Sequence, residues 1–401
     1  MCGLDLNACA DCFKLVFFCI EAMVRMMSET TEKIIESLKP DLSHLKGVRV
    51  IAAMSGGVDS SVVAALLKES GADVLGVFLN VWEYRREDVA GQGSCCSLDD
   101  AYDARRVCDQ VGIPFYNMDM RENFRRDVID PFIADYESGR TPNPCERCNR
   151  FVKFGALLDA ADKLEADYVA TGHYVQRKDD ASGVHIYKGN DDKKDQSYFL
   201  ATTSREQVKR ILFPVGHLQK DGTRILAQHY NLLTAHKHES QDICFIPAGD
   251  RISFLKQEGA EAGFRAGDIV DRAGVILGRH EGIAHYTLGQ RKGLGLPNGP
   301  WHVVELDGVT ARVVVAPPED ALIHEVVVAD VAWLRDVNAD ECITAKVRYQ
   351  MKPAACELQR KDDDVHIVFH RPQKPTAPGQ VAAFYVDEEL LGGGIVSEVV
   401  R

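Results

Sequence analysis

The 401-residue chain lacks an apolar run long enough to cross a bilayer; the run at 15–20 is far too short. No basic segment precedes that run and no A-x-A-like site follows it, so a secretory signal is not expected. No membrane partner is expected either, and the expected location is the cytoplasm. Positive charge is also scarce. Lys and Arg number 47 against 60 Asp and Glu, a net charge of −13. That excludes a dedicated basic nucleic-acid domain but leaves room for a local basic face. There is no internal repeat, no low-complexity tract and no G-x-x-x-x-G-K-[ST] phosphate loop. Cysteine, by contrast, is plentiful. The twelve cysteines sit in a chain too long for a small disulfide scaffold. Pairs such as Cys95-Cys96 and Cys145-x-x-Cys148 read as reactive or metal-binding thiols in a reducing compartment.

Between about 47 and 172, short apolar runs alternate with helical periodicity. Strands are expected at 48–54, 72–81, 114–119 and 167–171. Helices are expected at 59–69, 98–111, 121–138 and 147–164. Such alternation implies an α/β doubly wound parallel sheet, with ligands beyond the carboxyl ends of its strands. After 181 the texture changes, and from 267 strands dominate. The segments at 268–280, 282–296 and 302–316 read as a small β-rich central domain, with Pro317-Pro318 as a linker. The short strands beyond it imply a C-terminal β-barrel. The expected divisions are 1–46, 47–250, 251–318 and 319–401. The first is an extension, disordered or preceding a start at Met23, Met26 or Met27.

The string SGGVDSS follows a strand and opens a helix. Gly56 and Gly57 let consecutive N–H groups converge, and the helix start adds a positive dipole end. Ser55, Ser60 and Ser61 add hydroxyls. Asp59 is expected to cap the helix or to support Mg²⁺ on a pyrophosphate. Further on, Cys145-Glu146-Arg147-Cys148 follows the stiff TPNP segment and opens a helix, a setting that favours thiolate. Cys244 lies in ESQDICFIP. It reads either as a buried small hydrophobe or as a nucleophile. The CxxC reads either as half of a zinc site with Cys95-Cys96 or as part of a catalytic set. Cys145, Cys148 and Cys244 could also hold an iron–sulfur cluster with one open iron.

SGGVDSS, NPCERCN, ATGHY, KDQSYFL, ICFI, YTLGQRKGLG and a closing GGGIV occur in this order. In these places residues 47–401 resemble the tRNA-specific 2-thiouridylase family of PP-loop ATP pyrophosphatases. The resemblance implies ATP and Mg²⁺ as cofactors. It also implies tRNA as substrate, read at the wobble uridine of the anticodon stem-loop. The implied sulfur donor is a cysteine desulfurase or sulfur-relay protein. By position, Ala53, Met54, Ser55, Gly56, Gly57, Val58, Asp59 and Ser60 resemble the nucleotide loop. Leu79, where the family usually has Met, and Gly172 are expected beside adenine. Asn143, Pro144 and Cys145 fall at the target-base loop. Cys148 matches the first catalytic cysteine and Cys244 the persulfide cysteine. His173, Lys194, Asp195, Gln196, Arg348, Tyr349 and Gln380 match tRNA contacts. Cys145 stands where many members carry Asp. That departure opens a [4Fe-4S] cluster on Cys145, Cys148 and Cys244 as the alternative sulfur carrier. Basic candidates for the RNA face are Lys193, Lys194, Arg205, Lys209, Arg210, Arg291, Lys292, Lys346 and Arg348.

Overall fold

A computed structural model describes residues 31–82, 98–238, 243–246, 250–338 and 340–400. The Cys95-Cys96 pair, most of the 1–46 segment and Ser240–Asp242 lie outside the described residues.

The first domain is built on five parallel strands. β1 (Arg49–Met54) reads RVIAAM and buries Val50, Ile51 and Ala52, the near-continuous apolar pattern of a strand covered on both faces. β2 (Asp73–Asn80), β3 (Phe115–Asp119) and β4 (Tyr168–Ala170) follow as expected from the sequence. β5 (Val175–Asp180) and β6 (Gly183–Lys188) form a hairpin, and β7 (Ile211–Leu212) completes the parallel sheet. The order is β3-β2-β1-β4-β7, with every neighbouring pair parallel. The chain winds outward from β1 to β3, then crosses back to β4. The order therefore reverses between β1 and β4, and ligands are expected beyond the carboxyl ends of those two strands. β1 runs out into Ser55–Gly57 and β4 into Thr171–His173.

The helices Val58–Glu69 and Leu98–Val111 cover one face, around Val62, Val63, Leu66, Leu67, Ala104 and Val107. The helix over 31–38 joins this core: Ile35 is buried there and Leu38 packs against it. On the other face, Arg121–Glu137 and Pro144–Lys163 each contain a π turn, at Arg125–Ile129 and Cys148–Gly155. They enclose Phe124, Phe132, Phe245 and Phe254.

The central domain holds β8 (Gly267–Asp271), β9 (Ile276–His280), β10 (His302–Asp307) and β11 (Arg312–Ala316), in the order β10-β11-β8-β9. The segment at 282–296, expected to be extended, is a short 3₁₀ turn (Ile283–His285) followed by irregular chain. Gly289, Gly293 and Gly295 have φ of 81°, 74° and 66°, which breaks any strand there.

The last domain has β12 (Ile323–Trp333), β13 (Ile343–Lys346), β14 (Ala354–Lys361), β15 (Asp364–Gln373), β16 (Val381–Val386) and β17 (Glu389–Val400). Their order is β12-β15-β14-β13-β16-β17, and β17 pairs back onto β12, closing a six-stranded barrel without a free edge. Val326, Val328, Ile367, Phe369, Phe384 and Leu391 fill it. The β5–β6 hairpin of the first domain adds to the same sheet through β17. Glu389 locks this junction, accepting from Arg335 at 2.9 Å and bonding His185 at 2.6 Å.

Candidate functional site

The loop after β1 folds on its own hydroxyls. The Ser55 amide donates to Ser60 Oγ at 3.1 Å, and the Ser61 hydroxyl donates to the Gly57 carbonyl at 2.8 Å. Gly56 has φ of 71°, and a Cβ there would lie 2.3 Å from the Asp100 carbonyl oxygen. Only glycine fits. Gly57, not Asp59, occupies the cap position of Val58–Glu69, with no side-chain cap bond. The expectation that Asp59 caps its helix is corrected by its partners. Lys220 Nζ holds both carboxylate oxygens at 2.7 and 2.9 Å, and the Tyr174 hydroxyl donates to one of them at 2.9 Å. The carboxylate thus stands neutralised at the floor of the loop. Gly172 lies against it: a Cβ would be 2.9 Å from Asp59 Cβ and 3.0 Å from the Ser60 nitrogen.

At the start of the helix that carries the CxxC, the Asn143 side chain accepts from the Glu146 amide at 3.3 Å, and Pro144 begins the helix. The barrel braces this segment. Thr141 N donates to the Pro378 carbonyl at 2.9 Å, and Gln380 Nε2 donates to the Thr141 carbonyl at 2.8 Å. Cys145 is exposed, Cys148 is buried and Cys244 is half-buried. Glu146, between the two cysteines of the CxxC, is buried against the Thr202 hydroxyl, and burial pushes its carboxyl up.

The nucleotide loop and the helix that carries Cys148 border a cavity of about 230 Å³. Ala53, Met54, Ser55, Asp59 and Ser60 line its nucleotide-loop side. Leu79, Gly172, Cys148, Cys244, Lys153, His173 and Gln196 also line it. Cys145 is not part of the lining. His173 Nδ1 is 2.8 Å from the Thr171 hydroxyl. Burial, with the Lys153 charge adding, drops its pKa to about 3, so the imidazole is neutral at pH 7. The sequence reading missed Lys153 and Lys220. Neither carries a local signal, since each reaches the site only through tertiary placement.

The RNA-contact candidates divide. Asp195 is buried and accepts from the Gly189 and Ser197 amides at 3.1 and 3.0 Å. Gln196 Oε1 accepts from the Tyr174 amide at 3.0 Å while lining the cavity. Tyr349 lies 4.6 Å from the Phe199 ring, and Arg348 donates to the Leu288 carbonyl at 2.7 Å. Of the basic candidates, Arg205, Lys209 and Arg210 pair with Asp336, Glu206 and Asp162, and Lys346 is buried. Lys193, Arg291 and Lys292 are exposed.

The family resemblance supplies the nucleotide, and the loop suits it: Gly56 and Gly172 let the Ser55–Ser60 turn pack against Asp100 and Thr171–His173, while Ser55 and Ser60 line the cavity. Among the described residues no group of three His, Cys, Asp or Glu could hold a metal ion by itself; Mg²⁺ carried on a nucleotide needs only one or two carboxylates beside the phosphates. Asp59, the candidate Mg²⁺ ligand, is engaged by Lys220. The described cysteines likewise do not fit a cluster as arranged, with Cys145 outside the cavity that holds Cys148 and Cys244.

Domain-family models described as "tRNA methyl transferase HUP domain", "tRNA methyl transferase PRC-barrel domain" and "Aminomethyltransferase beta-barrel domain" match residues 48–248, 252–317 and 323–396. Fold and site define a PP-loop nucleotide-binding enzyme that acts on tRNA. The tRNA-specific 2-thiouridylase MnmA of Geobacter metallireducens is 46% identical over 354 residues, covering 86% of this chain and 96% of that protein. The namesake from Magnetococcus marinus is 44% identical over 351 residues, covering 86% and 98%. The chain belongs to the tRNA-specific 2-thiouridylase family and is a tRNA sulfurtransferase. Among solved structures, the "U34-tRNA thiolase NcsA from Methanococcus maripaludis with its [4Fe-4S] cluster" is 18% identical with a TM-score of 0.35, over 59% of this chain and 72% of that one. The cluster belongs to that protein. No described helix is long and apolar enough to cross a membrane.

Proposed function

We propose that this enzyme converts the wobble uridine of tRNA to 2-thiouridine by adenylating O2 and then delivering sulfur from a Cys244 persulfide. The observation that carries this reading is the shared cavity: nucleotide loop, Cys148 and Cys244 line one chamber. Uracil O2 is a poor leaving group, so ATP first converts it to an AMP ester, releasing pyrophosphate. The helix start at Val58 and the Ser55 and Ser60 hydroxyls receive the phosphates. Leu79 and Gly172 sit on the adenine side. The uridine must leave its stack to enter so small a chamber. In this reading Asn143, Pro144 and Cys145 meet the target base, and His173, Lys194, Asp195, Gln196, Arg348, Tyr349 and Gln380 contact the tRNA, as the resemblance to the family implies.

The terminal persulfide sulfur attacks C2, and AMP leaves with O2. Cys148 thiolate then attacks Cys244 Sγ and breaks the S–S bond, so the transferred sulfur stays on the base. The transferred sulfur is reduced while Cys148 and Cys244 are oxidised to a disulfide, which an external thiol reduces. A cysteine desulfurase or relay protein reloads Cys244.

Cys244→Ser should abolish ATP-dependent 2-thiouridine formation while tRNA affinity is kept. Undiminished thiolation by that variant would remove the persulfide role. Cys145→Asp should stay active, since Cys145 lies outside the lining. Collapse of activity together with loss of protein-bound iron would instead favour a cluster.

A further inference from the structure

The nucleotide loop is gripped from outside the cavity by an ammonium that the proposed steps do not use. Lys237 Nζ donates to the Gly56 carbonyl at 3.0 Å, to Asp100 Oδ1 at 2.7 Å and to Asp103 Oδ2 at 2.6 Å. An ammonium has three donors, and all three are engaged here. The two carboxylates belong to Leu98–Val111, the helix against which Gly56 packs. Arg224, on the helix Lys220–His229, fixes the backbone that carries Lys237. It donates to the Ala235 carbonyl at 3.0 Å and to the Lys237 carbonyl at 3.4 Å. The same helix starts with Lys220, which holds Asp59. One unit of the fold therefore grips the loop at both Gly56 and Asp59.

Two glycines in succession give the first grip its purpose. Gly56 has φ of 71°, and Gly57 has φ of −94° with ψ of 168°. Glycine accepts the mirror-image angles about as readily. The peptide unit between them is planar and trans, so its C=O and N–H point in opposite directions. Turning that unit over, with compensating torsions at the two glycines, would exchange them. A phosphate would then meet a carbonyl oxygen in place of an N–H donor. An ammonium can only donate, so it holds one of the two states: Gly56 carbonyl toward Lys237, Gly57 N–H away from it. Lys237 is not part of the cavity lining, whereas Ser55, Asp59 and Ser60 on either side of the glycines are.

We infer that Lys237 is a positioning residue for ATP, which by holding the Gly56 carbonyl keeps the Gly57 amide turned to receive a phosphate. The inference deepens the ATP-dependent reading above and rests on it. Lys237 touches no reacting atom and takes part in no covalent step.

The test is calorimetric titration of the full chain with a non-hydrolysable ATP analogue, beside thermal melting. Lys237→Met should weaken analogue binding by about tenfold, with tRNA affinity within about threefold of wild type. It also leaves Asp100 and Asp103 without their shared cation, so the melting temperature should fall. Lys237→Met/Asp103→Asn removes one of those charges. Its melting temperature should climb back toward wild type while analogue affinity stays about tenfold down. A loss of less than about fivefold in the folded single variant would overturn the inference. So would affinity that returns with the melting temperature, because the lysine would then be a structural ion pair alone. If the single variant does not fold, the double variant decides: a loss of about fivefold or more supports the role, and a smaller one overturns it. A spectroscopic reading addresses the peptide itself. Glycine labelled with ¹³C at the carbonyl and with ¹⁵N marks three Gly-Gly peptides, 56–57, 392–393 and 393–394. The analogue should move the 56–57 amide signal, and a stationary signal in protein that binds the analogue would overturn the inference. Wild-type protein that binds no analogue would defeat the ATP-dependent reading itself, a separate outcome visible in the control.

Discussion

Lys220→Met probes how a phosphate seat tolerates a carboxylate at its floor. Lys220 Nζ sits 2.7 and 2.9 Å from the two Asp59 oxygens, with side chains 11% and 29% exposed. Methionine keeps the apolar stem and removes the charge. Asp59 then faces incoming phosphates as an anion beside an anion. At a separation of about 5 Å and an effective dielectric near 20, two unit charges repel by about 3 kcal/mol. Partial exposure of Asp59 screens this, leaving about 1–3 kcal/mol, or roughly 5–150-fold in ATP affinity. Breaking a fully buried pair costs about 3–5 kcal/mol of stability, so this mostly buried one, with Asp59 partly open to solvent, should cost about 2 kcal/mol. Calorimetric titration with a non-hydrolysable ATP analogue and urea unfolding measure the two effects. Lys220→Met/Asp59→Asn removes both charges at constant shape and should recover most of the affinity. Affinity within about twofold of wild type in the single variant, or a double variant no better than the single, would refute the reasoning.

Gly172→Ala places a methyl 2.9 Å from Asp59 Cβ and 3.0 Å from the Ser60 nitrogen. Thiolation should fall about 10–100-fold at a stability cost of about 1 kcal/mol, with tRNA affinity unchanged, measured by product mass and filter binding. Gln380→Ala removes the 2.8 Å bond by which the barrel holds Thr141. Turnover should drop several-fold while ATP affinity stays constant, and an equal loss of both would mean the brace acts elsewhere. His173 titrates near 3 when folded and near 6.5 when unfolded, with burial the main cause. The unfolded chain therefore binds more protons between those values. Stability is fully present above about pH 6.5 and is lost as pH falls toward 3. Urea midpoints across that range should slope less in His173→Asn.

Much of the first domain was legible because its strands are buried on both faces and its helices keep their period; Leu98–Val111 coincides with its expected bounds. β5 and β14 escaped notice because VQRKDD and AACELQRK are largely polar and take their pairing from neighbours, not from apolar alternation. The attachment of β5–β6 to the barrel is a long-range register with no local mark. Motif order pointed to Gly172, Cys148 and Cys244, and the structure brings these three to one cavity. Lys153 was not readable, since an α-helical wheel turns it away from Cys148 and only the π turn brings it back. Asp59 was read as a cap because Asp favours that position. The partner that claims it instead, Lys220, lies 161 residues away.

The most direct measurement is a single turnover with ³⁵S-persulfide on Cys244, followed by mass analysis of tRNA, nucleotide and thiol peptides. Equal amounts of AMP, labelled 2-thiouridine and a Cys148–Cys244 disulfide are expected. Labelled product formed while both thiols remain alkylatable, or a disulfide drawn from Cys145 in place of Cys148, would contradict sulfur delivery within this cavity.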